Sequence, residues 1–231
     1  MAQASHGSVL DALGLRIASG ELAPGSVCTL ADLEAEFGVS RTVIREAVRV
    51  LEAMGMLSSR RRVGLTVTPT NEWSALDTRL IGWQLASPRR DHQIVVVNEL
   101  RSAVEPIAAR LAAQRGTDVQ RSQLLGLAAR LEELGRSGKG ASPEYLEVDI
   151  QFHDLILDMS GNLMLAANKA AIAAVIAGRS DVGLTPAIPY EAALDNHVRT
   201  AAAIARGDAD GAERHTRGYV DAVLSEVRAL V

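Results

Sequence analysis

The stretch Ser40-Arg41-Thr42-Val43-Ile44-Arg45-Glu46-Ala47-Val48-Arg49 decides how this chain folds. Ser40 suits a helix N-cap, and Val43, Ala47, Val50 or Leu51, and Met54 follow it at helical spacing. Arg41, Arg45 and Arg49 stand at i, i+4 and i+8 on roughly the opposite side, so one face is made to pack and the other is cationic. Just upstream, Thr29 can cap a short helix over 30–37, with Leu33 and Phe37 apolar at i and i+4, and Gly38-Val39-Ser40 makes a three-residue turn. The pattern is a helix-turn-helix whose second member is the recognition helix. An ordinary amphipathic helix with solvated arginines carries the same stripe, and the following residues separate the two cases. Residues 56–59 and 65–68 read as short strands flanking Arg60-Arg61-Arg62-Val63-Gly64, a two-stranded wing with an arginine-rich tip. Three adjacent arginines are usually just a solvated loop; directly after a basic helix they predict DNA contact, with Gly64 letting the backbone approach a groove.

The charge distribution agrees. The formal net charge is −4, yet residues 40–64 hold six arginines against Glu46 and Glu52. A basic patch on an acidic body suits a protein that meets phosphate with one surface, in binding that weakens steeply with salt. Aromatic residues make up only 3% of the chain, too few for a base-stacking platform. A single cysteine, Cys28, excludes an intrachain disulfide and a thiolate cluster and predicts a reducing cytoplasm. No leader pattern and no apolar run near the ~20 residues of a membrane span are evident, which predicts a soluble protein with no membrane partner.

Outward from the wing, residues 1–7 read as irregular, 8–19 as a helix through Val9, Leu10, Leu13 and Ile17, and 20–25 as a turn. After Pro69-Thr70-Asn71 every segment reads as helix: 72–86, 91–115, 118–136, 143–159, 163–180, 190–206 and 208–230. With 48% hydrophobic content the chain can build two cores. The predicted fold is mainly α. A winged helix-turn-helix of three helices and a two-stranded wing spans 8–69, a linker helix lies in 70–90, and an antiparallel all-α bundle spans 91–231, its core a usual place for metals and ligands.

Residues 8–69 resemble the winged helix-turn-helix of the GntR superfamily of bacterial transcription regulators. Gly20-Glu21-Leu22-Ala23-Pro24-Gly25 is similar to that family's turn after its first helix, Phe37 through Ala47 to its central signature, and Gly55-Met56-Leu57 through Gly64 to its wing. The resemblance implies that Arg41, Thr42, Arg45 and Arg49 contact double-stranded operator DNA, with Arg60 and Gly64 at or beside the minor groove. The chain departs from the family where Cys28-Thr29-Leu30 replaces a usual Pro-Ser-Glu, and where Arg61-Arg62 replace Pro-Gly at the tip.

A second constellation lies in the helical part. Asp149 and His153 are four apart on one helix and project from one face. His197 falls near the middle of the next-to-last helix, 190–206, and His215 near the start-to-middle of the last, 208–230. Singly, each is an ordinary surface or core histidine; together, one Asp and three His make an N/O donor set suited to zinc, nickel or a similar divalent transition metal. Residues 77–231 resemble the FCD effector domain of the FadR subfamily, through Asp149-Ile150-Gln151-Phe152-His153 and Ser160-Gly161-Asn162-Leu163-Met164-Leu165. The resemblance implies metal ligands at Asp149, His153, His197 and His215, a small carboxylate effector, and a homodimer. It places a pocket arginine at Arg101, for which a guanidinium suits bidentate carboxylate pairing; the alternative is an ion pair with Glu105. Arg179 is a second candidate cation for the effector. Asn71 through Trp83 resembles the linker of sugar-acid responsive members such as galactonate operon repressors, although both tryptophans also suit plain packing of that helix onto the bundle.

The leading expectation is a cytoplasmic, metabolite-responsive repressor released from its operator by a sugar acid. A different organic acid as effector, a helical metallohydrolase using the same ligands, and an architectural DNA-binding protein with a vestigial pocket are the alternatives.

Overall fold

Apolar spacing in the first 90 residues builds three helices around a small sheet. The computed structural model describes residues 6–181, 183 and 185–230, and the chain divides into two compact units, Met1–Arg90 and Asp91–Val231. In the first unit, α1 (His6–Ser19) buries Val9, Leu10, Leu13 and Ile17. The irregular lead-in expected over 1–7 gives way to α1 at His6; residues 1–5 lie outside the described residues. Helix α2 (Leu30–Phe37) starts in a capping box, with Asp32 N–H donating to Thr29 Oγ1 at 3.1 Å and Thr29 N–H donating to Asp32 Oδ2 at 2.8 Å. Gly38 ends it in the left-handed region, φ 63°.

Helix α3 (Arg41–Ala53) buries Ile44, Ala47, Val48 and Leu51. The packed stripe is thus turned slightly from the expected one, and Val43 and Val50 lie half-buried at its margins. Ser40 has the extended backbone of an N-cap, but its hydroxyl makes no capping bond.

The wing has a third strand that the sequence reading lacked. Strands β1 (Val27–Cys28), β2 (Leu57–Arg60) and β3 (Gly64–Val67) form an antiparallel sheet in the order β1-β3-β2, with Arg60 opposite Gly64 and Cys28 opposite Leu65. Gly64 has φ +107°, and a Cβ there would stand 2.7 Å from the Cys28 carbonyl oxygen. The glycine is therefore required by β1 inside the sheet, a constraint separate from any approach of this backbone to a groove.

Segment 72–86 is helical only over α4 (Thr78–Leu85), because Asp77 caps it by accepting from Arg79 N–H at 2.8 Å and a 3-10 turn, Thr70–Glu72, precedes it. Both tryptophans pack within the first unit, contrary to the expectation that they bind this segment to the bundle. Trp73 Nε1 donates to Thr68 Oγ1 at 3.0 Å, and Trp83 lies over Gly14 with its Nε1 donating to Asp11 Oδ1 at 3.3 Å.

The second unit consists of α5 (Arg90–Arg115), α6 (Asp118–Arg136), α7 (Pro143–Met159), α8 (Leu163–Ala166), α9 (Lys169–Asp181), α10 (Glu191–Arg206) and α11 (Ala209–Leu230). Its core joins Leu131, Phe152, Ile156, Ile172, Leu194 and Ile204. The 18-residue window 163–180 reaches the length and mean hydropathy, 1.2, of a bilayer crossing, which the sequence reading had not credited. It is broken between α8 and α9, and Ala171, Ile172, Val175 and Ile176 are buried in the unit. Gly207, φ +73°, turns α10 back into α11. In that hairpin Thr200 Oγ1 meets Thr216 Oγ1 at 3.4 Å, which fixes the register of the two helices.

A Cβ on Gly14 would stand 2.4 Å from the Trp83 ring. Gly14→Ala should therefore cost about 1–3 kcal/mol by overpacking, and Trp83→Ala about 3–5 kcal/mol through the cavity it leaves. Urea unfolding of Gly14→Ala followed by tryptophan fluorescence reads this unit alone, since both tryptophans of the chain lie in it; Trp83→Ala is read in the same way through Trp73.

Candidate functional site

The first unit presents one continuous cationic surface. Arg41, Thr42, Arg45 and Arg49 are all exposed on α3, opposite its buried stripe. Arg49 pairs with Glu46 at 2.6 Å, Arg41 stands 3.7 Å from Glu34, and Arg45 has no ion pair among the described residues. With the arginine side chains about two-thirds exposed, such pairs are weakly held. The wing adds Arg60, Arg61 and Arg62 at its exposed tip, where Arg62 takes φ 68° to close the turn. Between tip and α2 lies a groove of about 400 Å³ lined by Thr29, Arg41, Arg60, Arg61, Arg62 and Gly64. Helix and wing thus offer guanidinium groups from two elements to one polyanion, the arrangement of a helix in a major groove with a flanking wing.

The second unit gathers ionisable groups from α5, α7, α10 and α11. Asp149 and His153, one turn apart on α7, meet His197 of α10: Asp149 Oδ1 is 3.4 Å from His153 Nε2 and 3.5 Å from His197 Nε2. Each of the three residues offers a donor atom within 4.8 Å of the others. His197 Nδ1–H donates to the Ala193 carbonyl at 2.7 Å, so in the neutral ring the Nε2 lone pair faces Asp149 Oδ1. Both of those atoms are buried without a hydrogen-bond partner. Two buried lone pairs in opposition are costly unless a cation lies between them, and the donor set suits a metal ion.

A second layer holds the first. Glu105 of α5 is 2% exposed; it accepts from Arg101 Nε at 2.5 Å and from the Tyr219 hydroxyl at 3.2 Å, and its Oε2 is 2.8 Å from His153 Nδ1. The last is an electrostatic contact and not an aligned hydrogen bond. Arg101, also 2% exposed, reaches Asn98 Oδ1 at 3.4 Å and brings Nη2 to 3.3 Å from His153 Nε2. The ion pair with Glu105 considered from the sequence therefore exists, but it is buried within the cluster. Carboxylate-to-histidine support of this kind orients a ligating ring.

His215 is not part of the cluster. The register set by Thr200 and Thr216 puts Tyr219 opposite His197 and leaves His215 one turn away, half-buried and acted on by the charges of Arg199, Arg214, Asp208 and Arg206. Tyr219 instead stacks on the His197 ring, centroids 4.5 Å apart and planes within 8°. Arg179, in the last turn of α9, acts electrostatically on Tyr145, one turn before Asp149. Asn98 and Tyr219 drew no role from the sequence, and Glu105 only that of a partner for Arg101; the pairing of Tyr219 with His197 rests on the Thr200–Thr216 register.

Burial alone would lower the His153 pKa, but the Glu105 and Asp149 carboxylates raise it to about 9. Burial pushes Glu105 up, and the charges of Arg101 and His153 outweigh that and bring it to about 2. Asp149 is likewise held below the carboxylate range, against burial, by His153 and His197.

Comparison with known proteins agrees with both units. The model described as bacterial regulatory proteins, gntR family, matches residues 6–67, and that of the FCD domain matches 97–222. The galactonate operon transcriptional repressor of Escherichia coli K12 is 31% identical over 210 residues, 89% of each chain. The uncharacterized HTH-type transcriptional regulator YieP of the same strain is 35% identical over 158 residues, 68% of each chain. A solved chain described as Streptococcus agalactiae GntR has the same fold, with a TM-score of 0.51 at 24% identity over 95% of this chain and 99% of that one.

In metal-stripped protein, stabilisation by the raised His153 pKa is complete below its ordinary 6.5 and is lost as pH rises through about 9. Stabilisation by the depressed Glu105 pKa is complete above its ordinary 4.5 and is lost as pH falls through about 2. Calorimetric unfolding of the full chain should show the transition of the helical unit most stable between pH 4.5 and 6.5 and falling toward pH 9; in His153→Gln the alkaline decline should be absent.

Proposed function

The chain belongs to the GntR family of bacterial regulatory proteins and carries an FCD domain, and from that premise we propose that it is a repressor released from its operator by a sugar acid. It is a DNA-binding transcription regulator and not an enzyme, which sets aside the metallohydrolase alternative. The observation that carries the proposal is the pairing of an arginine face on α3 and the wing with a buried donor cluster beside a guanidinium in the helical unit.

In this reading Arg41, Thr42, Arg45 and Arg49 face the major groove, and Arg60 and the tip lie at the minor groove, on each half of a homodimer bound to a pseudo-palindromic operator in the cytoplasm. Asp149, His153 and His197 would hold a divalent transition metal, with zinc and nickel both suited to two imidazoles and a carboxylate. The metal supplies a fixed positive charge for a carboxylate. Glu105 keeps the His153 ring in place, and the Ala193 carbonyl does the same for His197. Arg101 contributes a second cation: its Nη2 stands 3.3 Å from His153 Nε2, and a metal held through that nitrogen would leave this guanidinium N–H for the incoming acid. The sugar-acid class is supported by the galactonate repressor's likeness over 89% of both chains. The acid acts by binding the DNA-free state more tightly than the DNA-bound one.

Fluorescence anisotropy with duplexes from upstream of its own and neighbouring genes tests the proposal. Binding should weaken steeply with salt, and Arg45→Ala should lose about 1–3 kcal/mol of specific affinity while keeping its thermal stabilisation by the acid. His153→Ala should keep DNA affinity and stop responding to gluconate or galactonate. Tight binding that no organic acid relieves would refute the effector half alone; salt-insensitive or absent duplex binding would refute the operator half.

A further inference from the structure

We infer that the metal set of this chain has three protein members, Asp149, His153 and His197, that Tyr219 closes the fourth side without donating, and that the acid it recognises is a 2-hydroxy carboxylate. This rests on the reading above that the cluster holds a metal.

Three features lead there. First, the α10–α11 register brings an aromatic ring and not an imidazole against the cluster: Tyr219 stacks on His197, and His215 is a turn away among arginines. Second, the Tyr219 hydroxyl is already committed, donating to Glu105 Oε2 at 3.2 Å and not to Asp149 or either histidine. Tyr219 is also buried, 1% exposed. Third, the three donor atoms that remain are of the kind that leaves a metal open on one side: two imidazole nitrogens and one carboxylate oxygen.

A metal held by three protein donors and not four leaves more of its coordination to the effector. A plain carboxylate supplies charge at one end only. A 2-hydroxy acid offers a carboxylate and an adjacent hydroxyl, two oxygens at fixed spacing that bind one metal together, while Arg101 stands at the same spot for the acid's remaining carboxylate lone pairs. It follows that metal and acid each strengthen the other's binding. Of the three members Asp149 is the most open, its side chain 18% exposed against 2% for His153 and 8% for His197.

Zinc affinity of the full-length protein, measured by competition with a chromophoric chelator, tests this without reference to DNA. His197→Ala should weaken zinc binding on the order of 100-fold, and His215→Ala should leave it unchanged. Should His197→Ala fail to fold by circular dichroism, Asp149→Asn serves in its place. Gluconate or galactonate should tighten zinc binding by about 5- to 150-fold, and their 2-deoxy analogues should not. Tyr219→His, which supplies an imidazole opposite His197, should tighten zinc binding without acid and shrink the effect of acid. A loss in His215→Ala equal to that in His197→Ala would overturn the three-member set, and equal tightening by the 2-deoxy acids would overturn the 2-hydroxy requirement. A wild-type chain that binds no zinc or nickel while still being stabilised by aldonates would remove the metal from the function proposed above, and this inference with it.

Discussion

A carboxylate removed from water must be neutralised where it lies, and in the helical unit Glu105 imposes that requirement on its neighbours. It receives a guanidinium from its own helix, a tyrosine hydroxyl from α11 and the edge of an imidazole from α7. Removing one partner of such a buried pair leaves an uncompensated charge worth about 3–5 kcal/mol, so these side chains have little freedom to drift. That rigidity passes to His153, and through His153 to the position of its Nε2. The donor cluster exists because a charge behind it is fixed, in the same way that Ala193 fixes the ring of His197 from the other side.

The first unit solves the opposite problem, since its functional charges must stay in water until phosphate arrives. Helix α3 does this by segregation. Ile44, Ala47, Val48 and Leu51 carry the packing, so that the arginines opposite lie outside the core and remain available. Arg49 is held only by the exposed Glu46, and Arg41 stands 3.7 Å from the half-buried Glu34, too far for a hydrogen bond. α4 is joined to this unit by the seat of Trp83 on Gly14, a contact that permits no larger residue beneath the ring.

Much of this was legible in the sequence, for identifiable reasons. Helix-turn-helix, wing and helical unit announce themselves through local signals: a Thr29 cap with Asp32 three residues on, Gly38 after the helix, and apolar spacing in α3. Asp149 and His153 were readable because a spacing of four fixes a common face. What failed to show depended on tertiary register. His215 was assigned by its chemistry and by likeness, whereas its place depends on how α11 lies against α10, which the Thr200 and Thr216 contact sets and no local pattern records. Strand β1 was missed because two residues carry no periodicity. Glu105 was seen only as a partner for Arg101, because a single charged residue within a long helix gives no sign of being buried.

The small sheet has a consequence for how such a protein diversifies. β1 precedes α2 in the chain yet pairs with β3, and Gly64 lets the two backbones touch directly below the tip of the hairpin. The frame of the wing is thereby anchored below its tip, while residues 61–63 project beyond the last paired residues, Arg60 and Gly64, and bear no packing duty. The tip behaves as an interchangeable cassette on a rigid mount. A lineage can rewrite those three positions and acquire new target preferences without renegotiating the fold, and the unusual Arg61-Arg62 pair is the kind of local rewriting that such a mount tolerates.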